Sequence, residues 1–274
     1  MLMTGLASRY AHQLIQAREK GEMLPSLSSR YPLTVEDAYE IAEKISEIRI
    51  AEGENVIGWK FDYFTDTSSE NREKVRFPFW SRLYDTTVHF MENSEGRFSL
   101  KNLSAPAMEA EVIFRLGKLP PENADVQQLA DCIEWMAHGI EITNYPFQTG
   151  TKSLVDAIIA FGMHGALLVG EPKIVSEGSR KSLYAVSKCA SLSVACNDVI
   201  RTAGFGSEAT SNPLQGLLTL YQLLNAMPGT PSLHIGDIVA TGSWTKPLAV
   251  HPGEVWQTAV SGLLLPGLTV ELTS

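Results

Sequence analysis

The sequence has few of the residues that build disulfide frameworks, nucleic-acid surfaces or membrane spans. It contains three cysteines in 274 residues, and their spacing fits neither a disulfide framework nor a CxxC metal site. Its 22 basic residues are outnumbered by 31 acidic ones, so it lacks the positive surface that binds nucleic acids. The longest apolar stretch, 154–170, contains Asp156 and His164, which excludes a membrane span of about 20 apolar residues.

The N-terminus also lacks the continuous apolar segment of a secretory signal. These absences predict a cytoplasmic protein with no nucleic-acid or membrane partner. What the sequence does have is an ordinary globular composition, 44% apolar and 19% charged, which is enough for a sizeable hydrophobic core.

Helical periodicity is interrupted by a long region of short apolar runs. The predicted helices cover 6–20, 34–53, 125–138 and 213–226, with Thr34 and Asn212 as N-caps of the second and fourth. The runs between them, which are broken by glycine, proline, asparagine and aspartate, predict strands at 56–61, 86–91, 108–116, 139–143, 165–170, 183–187, 191–195, 236–241, 255–261 and 268–272. This order predicts an α+β fold, a mostly-β catalytic domain with a small helical N-terminal cap.

Three carboxylates stand in apolar strands. In the strand predicted at 108–116, Glu109 and Glu111 lie on one face because side chains two residues apart point the same way. Glu141 is flanked by isoleucines in the strand predicted at 139–143. Three buried carboxylates repel one another, and a divalent cation with a preference for oxygen ligands, Mg²⁺ or Mn²⁺, would relieve that repulsion.

The residues alone leave a second interpretation open. Glu109 and Glu111 could face solvent on an amphipathic strand, with Arg115 as an ion-pair partner. An isolated Glu-x-Glu pair favours this interpretation, and Glu141 in its own apolar strand shifts the balance only modestly.

The spacing of the acidic residues resembles that of a known family. Glu109-x-Glu111 is followed by 29 residues and then Glu141, similar to the metal signature of the fumarylacetoacetate hydrolase superfamily. Further segments resemble its 2-keto-4-pentenoate hydratase and 4-oxalocrotonate decarboxylase branch, in the same order along the chain: LTVEDAY at 33–39, VIGWK at 56–60, RLYD at 82–85, GDIVATGS at 236–243 and VHPGE at 250–254.

The resemblance implies a fold and a metal centre. The fold is a mostly-β mixed roll or barrel at 76–274, like the C-terminal domain of fumarylacetoacetate hydrolase, with a helical cap and lid region at 1–75. Glu109, Glu111 and Glu141 are implied ligands of Mg²⁺ or Mn²⁺, which would hold a 2-oxo acid substrate.

The resemblance also implies roles for residues around the metal. Lys60, with a pKa lowered beside the metal, would exchange protons. The residue alone favours a surface lysine, or one paired with Asp62 or Asp66. Asp85 would orient Lys60 or the attacking water, and it is equally well explained as a turn residue. The implied substrate-binding residues are Thr241, Gly242, Ser243, Lys152 and His164.

One segment departs from the family pattern. Residues 160–165 read Ala-Phe-Gly-Met-His-Gly where many hydratases have a polar stretch, which implies a changed substrate pocket. His164 is new in this segment and is interpreted either as an added acid–base group or as a histidine satisfied within the core.

The implied activity is hydration of a 2-hydroxy-2,4-dienoate by a metal-dependent lyase. Three alternatives stay open: decarboxylation of an oxo-diacid, C–C hydrolysis of an acylpyruvate, and a non-catalytic partner subunit. The hydrolases of this family use a histidine–glutamate pair in the lid, and residues 61–88 contain no histidine. The family also implies a homo-oligomer, a dimer or larger.

Overall fold

The computed structural model describes residues 4–65, 75–148, 153–207, 212–226 and 232–274. The helices in this part of the chain are α1 (Thr4–Lys20), α2 (Val35–Ala51), α3 (Val126–Cys132), α4 (Leu154–Ile159), α5 (Glu177–Arg180), α6 (Leu183–Cys189) and α7 (Pro213–Ala226). The strands are β1 (Val56–Thr65), β2 (Arg76–Tyr84), β3 (Val88–Phe90), β4 (Glu95–Ser99), β5 (Ala107–Leu116), β6 (Ile133–Thr143), β7 (His164–Val169), β8 (Lys173–Ile174), β9 (Ser191–Cys196), β10 (Val199–Phe205), β11 (Ile238–Ser243), β12 (Leu248–Ala249), β13 (Val255–Ser261) and β14 (Thr269–Thr273).

The strands form two mixed sheets. The larger has the order β2-β1-β11-β5-β6-β7-β3, with β12 beside β5 and β8 beside β6, and it curls into a half-barrel. The smaller has the order β10-β9-β13-β14-β4. Parallel pairs (β1 with β11, β3 with β7, β14 with β4) occur among antiparallel ones. The predicted α+β, mostly-β architecture is confirmed.

The strand β5 is buried on both faces, at the centre of the larger sheet. On one face Ala110, Val112 and Phe114 pack into the main core, together with residues of the smaller sheet and of α3 and α7. On the other face stand Glu109 and Glu111. The period-2 pattern of the sequence therefore assigned the faces of β5 correctly.

A helical layer covers one side of this sheet. A capping box formed by Thr34 and Asp37 begins α2. The helices α1, α2 and α4 share a second core with Phe64, Phe79 and Phe147. The strand β1 lies before the predicted boundary at residue 75, yet it pairs with β2 and β11. The N-terminal region therefore contributes a strand to the large sheet as well as the helical cap.

Two element predictions are wrong. The predicted helix 125–138 ends at Cys132, and the chain continues as the strand β6. Because β6 is buried on both faces, it shows no alternation, and its apolar residues also fit a helical spacing. The predicted strand 183–187 is the helix α6, whose buried residues Leu183 and Ser187 are one helical turn apart.

Several elements were not predicted. The strand β2 contains Pro78 and two arginines. The edge strand β10 exposes its apolar residues Val199 and Ile200. Neither segment therefore shows the alternation of apolar and polar residues that predicts a half-buried strand. No helix among the described residues has the length and apolarity that crossing a membrane requires.

The pairing of β1 with β11 generates a prediction about Gly58. A Cβ on Gly58 would lie 1.9 Å from the carbonyl oxygen of Ile238, so Gly58→Ala must separate the two strands. We expect the free energy of unfolding, measured in urea, to fall by more than about 1 kcal/mol.

The matched control is Gly178→Ala, because a Cβ at Gly178 meets nothing within 4 Å. It should change stability by no more than about 0.5 kcal/mol. Equal stability of the Gly58 variant and the wild type would contradict this description of the β1–β11 contact.

Candidate metal centre

Three carboxylates converge where β5 and β6 pair. Glu109 lies directly opposite Glu141 in the antiparallel register, and Glu111 follows two residues along on the same face of β5. One oxygen from each of the three carboxylates lies within 4.8 Å of the others. All three side chains are buried, so the solvent-facing alternative for Glu109 and Glu111 is wrong.

The triad has the chemistry of a site for a hard divalent cation. Glu111 Oε2 accepts a hydrogen bond from the Gly242 amide at 3.3 Å, whereas its Oε1 is buried and makes no hydrogen bond within the described residues. Burial, and then the charge of Glu141, hold the pKa of Glu111 well above its usual value. The triad offers only carboxylate oxygens as ligands, and Glu111 Oε1 is one that no described residue engages. Such a site fits Mg²⁺ or Mn²⁺.

Lys60 is a cationic side chain in contact with the triad. It is fully buried on β1, and its Nζ lies 2.6 Å from Glu141 Oε2 and 3.8 Å from Asp62 Oδ2. Burial acts to lower the pKa of Lys60, but the surrounding carboxylates, first Glu141, outweigh it and raise the pKa. The lowering that the resemblance implies beside a bound metal stays a prediction.

The segment that departs from the family pattern touches Lys60. The Lys60 Nζ donates to the Gly162 carbonyl at 3.1 Å. Phe161, Gly162 and Met163 all have left-handed backbones, with φ of 58°, 65° and 59°. This conformation costs free energy at Phe161 and Met163, and it presents the Gly162 carbonyl to Lys60.

His164 contacts a triad carboxylate. Its Nδ1 lies 2.8 Å from Glu141 Oε1, and its Nε2 lies 3.0 Å from Thr87 Oγ1. Burial lowers the pKa of His164 to about 4, so the ring is neutral at pH 7. Because the carboxylate can only accept, Nδ1–H donates to Glu141 and Nε2 accepts from Thr87.

This placement decides between the two interpretations of His164. The side chain is 1% exposed, and both ring nitrogens are engaged. It stands behind Glu141 and orients that carboxylate. The expectation that His164 binds substrate is therefore corrected, because the ring offers no accessible atom to a substrate.

Arg18 of α1 was not found by sequence reasoning. Its guanidinium donates to the His164 carbonyl at 2.6 Å and to the Gly165 carbonyl at 2.8 Å, and it lies 4.8 Å from the centroid of the Phe161 ring. In the sequence, an arginine near the end of a helix looks like an ordinary surface residue. The sequence therefore gives no sign that Arg18 connects the helical cap with the site.

The predicted substrate-binding turn lies beside the triad, but its polar groups are engaged within the protein. The Thr241 hydroxyl donates to the Val112 carbonyl, and the Ser243 hydroxyl donates to the Thr245 carbonyl, each at 2.7 Å. A bulge between Ala240 and Ser243 interrupts the pairing with β5 and places the Gly242 amide against Glu111. In the structure this turn therefore supports the ligand strand.

Two predicted site residues remain, Asp85 and Lys152. Asp85 is exposed, and its carboxylate accepts from the backbone and side-chain nitrogens of Asn55 at 3.1 and 2.7 Å. The described residues offer it no contact with Lys60, which corrects the expectation that it orients this lysine. Lys152 lies outside the described residues.

The family can now be assigned. Residues 69–268 match the profile of the fumarylacetoacetate (FAA) hydrolase C-terminal family. The chain belongs to this family. The predicted family is thereby confirmed, and with it the prediction of an enzyme.

Curated relatives of two activities match nearly the whole chain. A 2-keto-4-pentenoate hydratase of Paraburkholderia xenovorans (strain LB400) is 26% identical over 255 residues, which cover 92% of this chain and 90% of the relative. A 4-oxalocrotonate decarboxylase of a Pseudomonas species is 25% identical over 248 residues, which cover 90% of this chain and 91% of the relative.

Solved structures share the fold. A 4-oxalocrotonate decarboxylase from Pseudomonas putida G7, complexed with magnesium and adipate, matches with a TM-score of 0.83 at 16% identity, over 99% of each chain. A fumarylpyruvate hydrolase from Pseudomonas aeruginosa, in complex with Mn²⁺ and pyruvate, matches with a TM-score of 0.57 at 16% identity, over 79% of this chain and 88% of that one. At these identities, the matches establish the fold alone.

The raised pKa of Glu111 predicts a pH-dependent instability of the metal-free protein. A buried carboxyl with a raised pKa lowers stability as pH rises above its unfolded value, and Glu111→Gln removes that charge. In EDTA, the variant should melt higher than the wild type at pH 8, by about 2–4 °C for each kcal/mol relieved. The difference should shrink toward pH 4.5.

Thermal unfolding across that pH range measures the effect, and exposed Glu122 supplies the control variant Glu122→Gln. A Glu111→Gln protein that melts below the wild type at every pH would show that the buried charge is compensated in some other way.

The contact between His164 and Glu141 generates a second prediction. Asn can place an amide donor where Nδ1 stands, whereas Gln places one near Nε2 and Leu places none. We expect His164→Leu to weaken Mn²⁺ binding about 10–100-fold, His164→Gln to weaken it similarly, and His164→Asn to restore most of the affinity.

Mn²⁺ titration followed by electron paramagnetic resonance measures this order, and the melting temperature of each variant reports folding. If Asn and Gln lost affinity equally, in proportion to their loss of stability, His164 would have a packing role only.

Proposed function

We propose that this enzyme is a divalent-metal-dependent hydratase that adds water to a 2-hydroxy-2,4-dienoate. The observation that carries the proposal is the buried triad of Glu109, Glu111 and Glu141, with Lys60 Nζ 2.6 Å from Glu141. The curated 2-keto-4-pentenoate hydratase that matches over 92% of the chain supports it.

The chain's own residues would divide the work around the substrate. The three glutamates would hold the cation, and Lys60 and His164 fix Glu141 from two sides. When bound, Mg²⁺ or Mn²⁺ supplies Lewis acidity toward the carboxylate and 2-oxo oxygens of the substrate.

Decarboxylation of an oxo-diacid is the second candidate function. The curated decarboxylase matches over 90% of this chain, at an identity close to that of the hydratase. Both reactions place negative charge on a 2-oxo acid, so the same triad would serve either. The substrate's second carboxylate distinguishes them, and the assay below uses that difference.

C–C hydrolysis of an acylpyruvate has less support. The absence of histidine from residues 61–88 removes the base that the hydrolases of this family use there. We also propose a cytoplasmic homo-oligomer, a dimer or larger, which light scattering coupled to size-exclusion chromatography tests.

The function is tested with three substrates in parallel. We expect turnover of 2-hydroxypenta-2,4-dienoate to 4-hydroxy-2-oxopentanoate with Mg²⁺ or Mn²⁺, its loss in EDTA and its recovery on adding metal. Glu109→Gln and Glu141→Gln should lower kcat/KM at least about 100-fold. Loss of diene absorbance and NMR of the product measure the reaction.

The other two substrates decide between the alternatives. Release of CO₂ from 4-oxalocrotonate without hydration of the dienoate would favour the decarboxylase. Turnover of an acylpyruvate alone would favour the hydrolase. Metal-independent activity on any of the three would contradict the proposed centre.

A further inference from the structure

Asp62 stands beside the metal centre and has no role in the function proposed above. It follows Lys60 by two residues on β1, so both side chains point to the same face. Its Oδ2 lies 3.8 Å from Lys60 Nζ, and Glu141 Oε2 lies 2.6 Å from the same nitrogen. Lys60 therefore contacts both a triad carboxylate and Asp62.

Asp62 is more accessible than its partners. The side chains of Lys60 and Glu141 are 0% and 1% exposed, whereas that of Asp62 is 14% exposed. Gly242 packs against it without a side chain, and a Cβ there would lie 3.9 Å from the Asp62 Cα. Of Lys60, Glu141 and Asp62, Asp62 is the residue whose side chain has solvent-exposed surface.

Asp62 is a fourth carboxylate beside the three glutamates, and it stands on β1, apart from the two strands that carry the triad. Burial, and then the charge of Glu141, raise the pKa of Asp62, whereas Lys60 opposes them. A carboxylate outside the triad, close to a lysine and partly exposed, suits general acid–base work.

We propose that Asp62 is the residue that transfers protons to and from the carbon chain of the substrate. This rests on the proposed hydratase function. The 2-hydroxydienoate first ketonises: the proton leaves the 2-hydroxyl oxygen, C5 gains a proton, and a C3=C4 bond conjugated with the 2-oxo group remains. As base, Asp62 then takes a proton from water while the water oxygen bonds to C4, the distal carbon of that C=C bond. The electron pair of that bond moves toward the 2-oxo group, leaving an enolate.

The second half of the step returns the proton. Asp62 gives it to the carbon next to the 2-oxo group, where the enolate electron pair forms the new C–H bond. One water is consumed, with OH on one carbon and H on its neighbour, and Asp62 is again a carboxylate. The step needs no further reactant.

The other candidate acid–base groups near the centre already have partners within the protein. Lys60 is enclosed by Glu141, Asp62 and the Gly162 carbonyl, and both nitrogens of His164 are engaged. The exposed Asp85 is bonded to Asn55. Lys60 acts as a positioning residue that holds Asp62 and Glu141 at a fixed separation.

The test is Asp62→Asn, which keeps the shape of the side chain and removes its basicity. The exposed aspartate of α3 supplies the control Asp131→Asn. We expect Asp62→Asn to lower kcat for 2-hydroxypenta-2,4-dienoate about 10²–10⁴-fold, with KM and Mn²⁺ affinity changed less than about threefold. Asp131→Asn should match the wild type.

Two readouts separate proton transfer from a packing role. The wild type should exchange the C3 protons of 2-oxopentanoate in D₂O, followed by NMR, and Asp62→Asn should not. The wild-type kcat should fall as pH decreases through the Asp62 pKa, because the base must be ionised, and this limb should be absent in the variant. The charged groups that set the pH of this limb are Lys60 on β1, Glu111 on β5 and Glu141 on β6.

The outcomes are distinct from those that test the function. If the wild type hydrates the dienoate and Asp62→Asn retains its kcat and its C3 exchange, the assignment of Asp62 is wrong. If Asp62→Asn loses Mn²⁺ affinity in parallel with kcat, Asp62 supports the cation and does not transfer protons. A wild type that binds Mn²⁺ but hydrates no dienoate would overturn the proposed function, and C3 exchange would still report on Asp62.

Discussion

The burial of three like-charged carboxylates in one place constrains the rest of this structure. Charges of one sign inside a protein are tolerated only where opposite charge and hydrogen-bond donors surround them. Glu141 has both Lys60 and His164 as partners, and Glu111 has the Gly242 amide. A divalent cation bound by the three carboxylates would offset the repulsion that remains between them.

The helical cap takes part in that compensation. Arg18 on α1 holds the carbonyls of His164 and Gly165, and His164 in turn holds Glu141. Removing any member of such a chain leaves a buried polar group unpaired, which costs more than the hydrogen bond contributes. The cap therefore belongs to the metal centre as well as to the core that it covers.

The parts of this site that could be predicted from the sequence are those fixed by local pattern. Alternation within β5 placed Glu109 and Glu111 on one face, and a family resemblance connected them with Glu141. The contacts of Arg18 and His164 span more than a hundred residues or depend on a left-handed turn, and no local pattern encodes them. The same limit explains β6, whose two buried faces hide the period that distinguishes a strand from a helix.

Asp62 and Asp85 show why proximity must be observed. Asp62 is two residues from Lys60 and Asp85 is twenty-five residues from it, and the resemblance favoured Asp85. The antiparallel pairing of β1 with β2 carries Asp85 to the far end of the hairpin, beside Asn55, whereas the period of β1 brings Asp62 to the ammonium group. Two residues that are two positions apart in a strand must point to the same face of the sheet. A loop residue that resembles a family motif twenty-five residues away can lie at any distance from the lysine. Where acid–base roles are assigned on this fold, strand register is therefore the stronger guide.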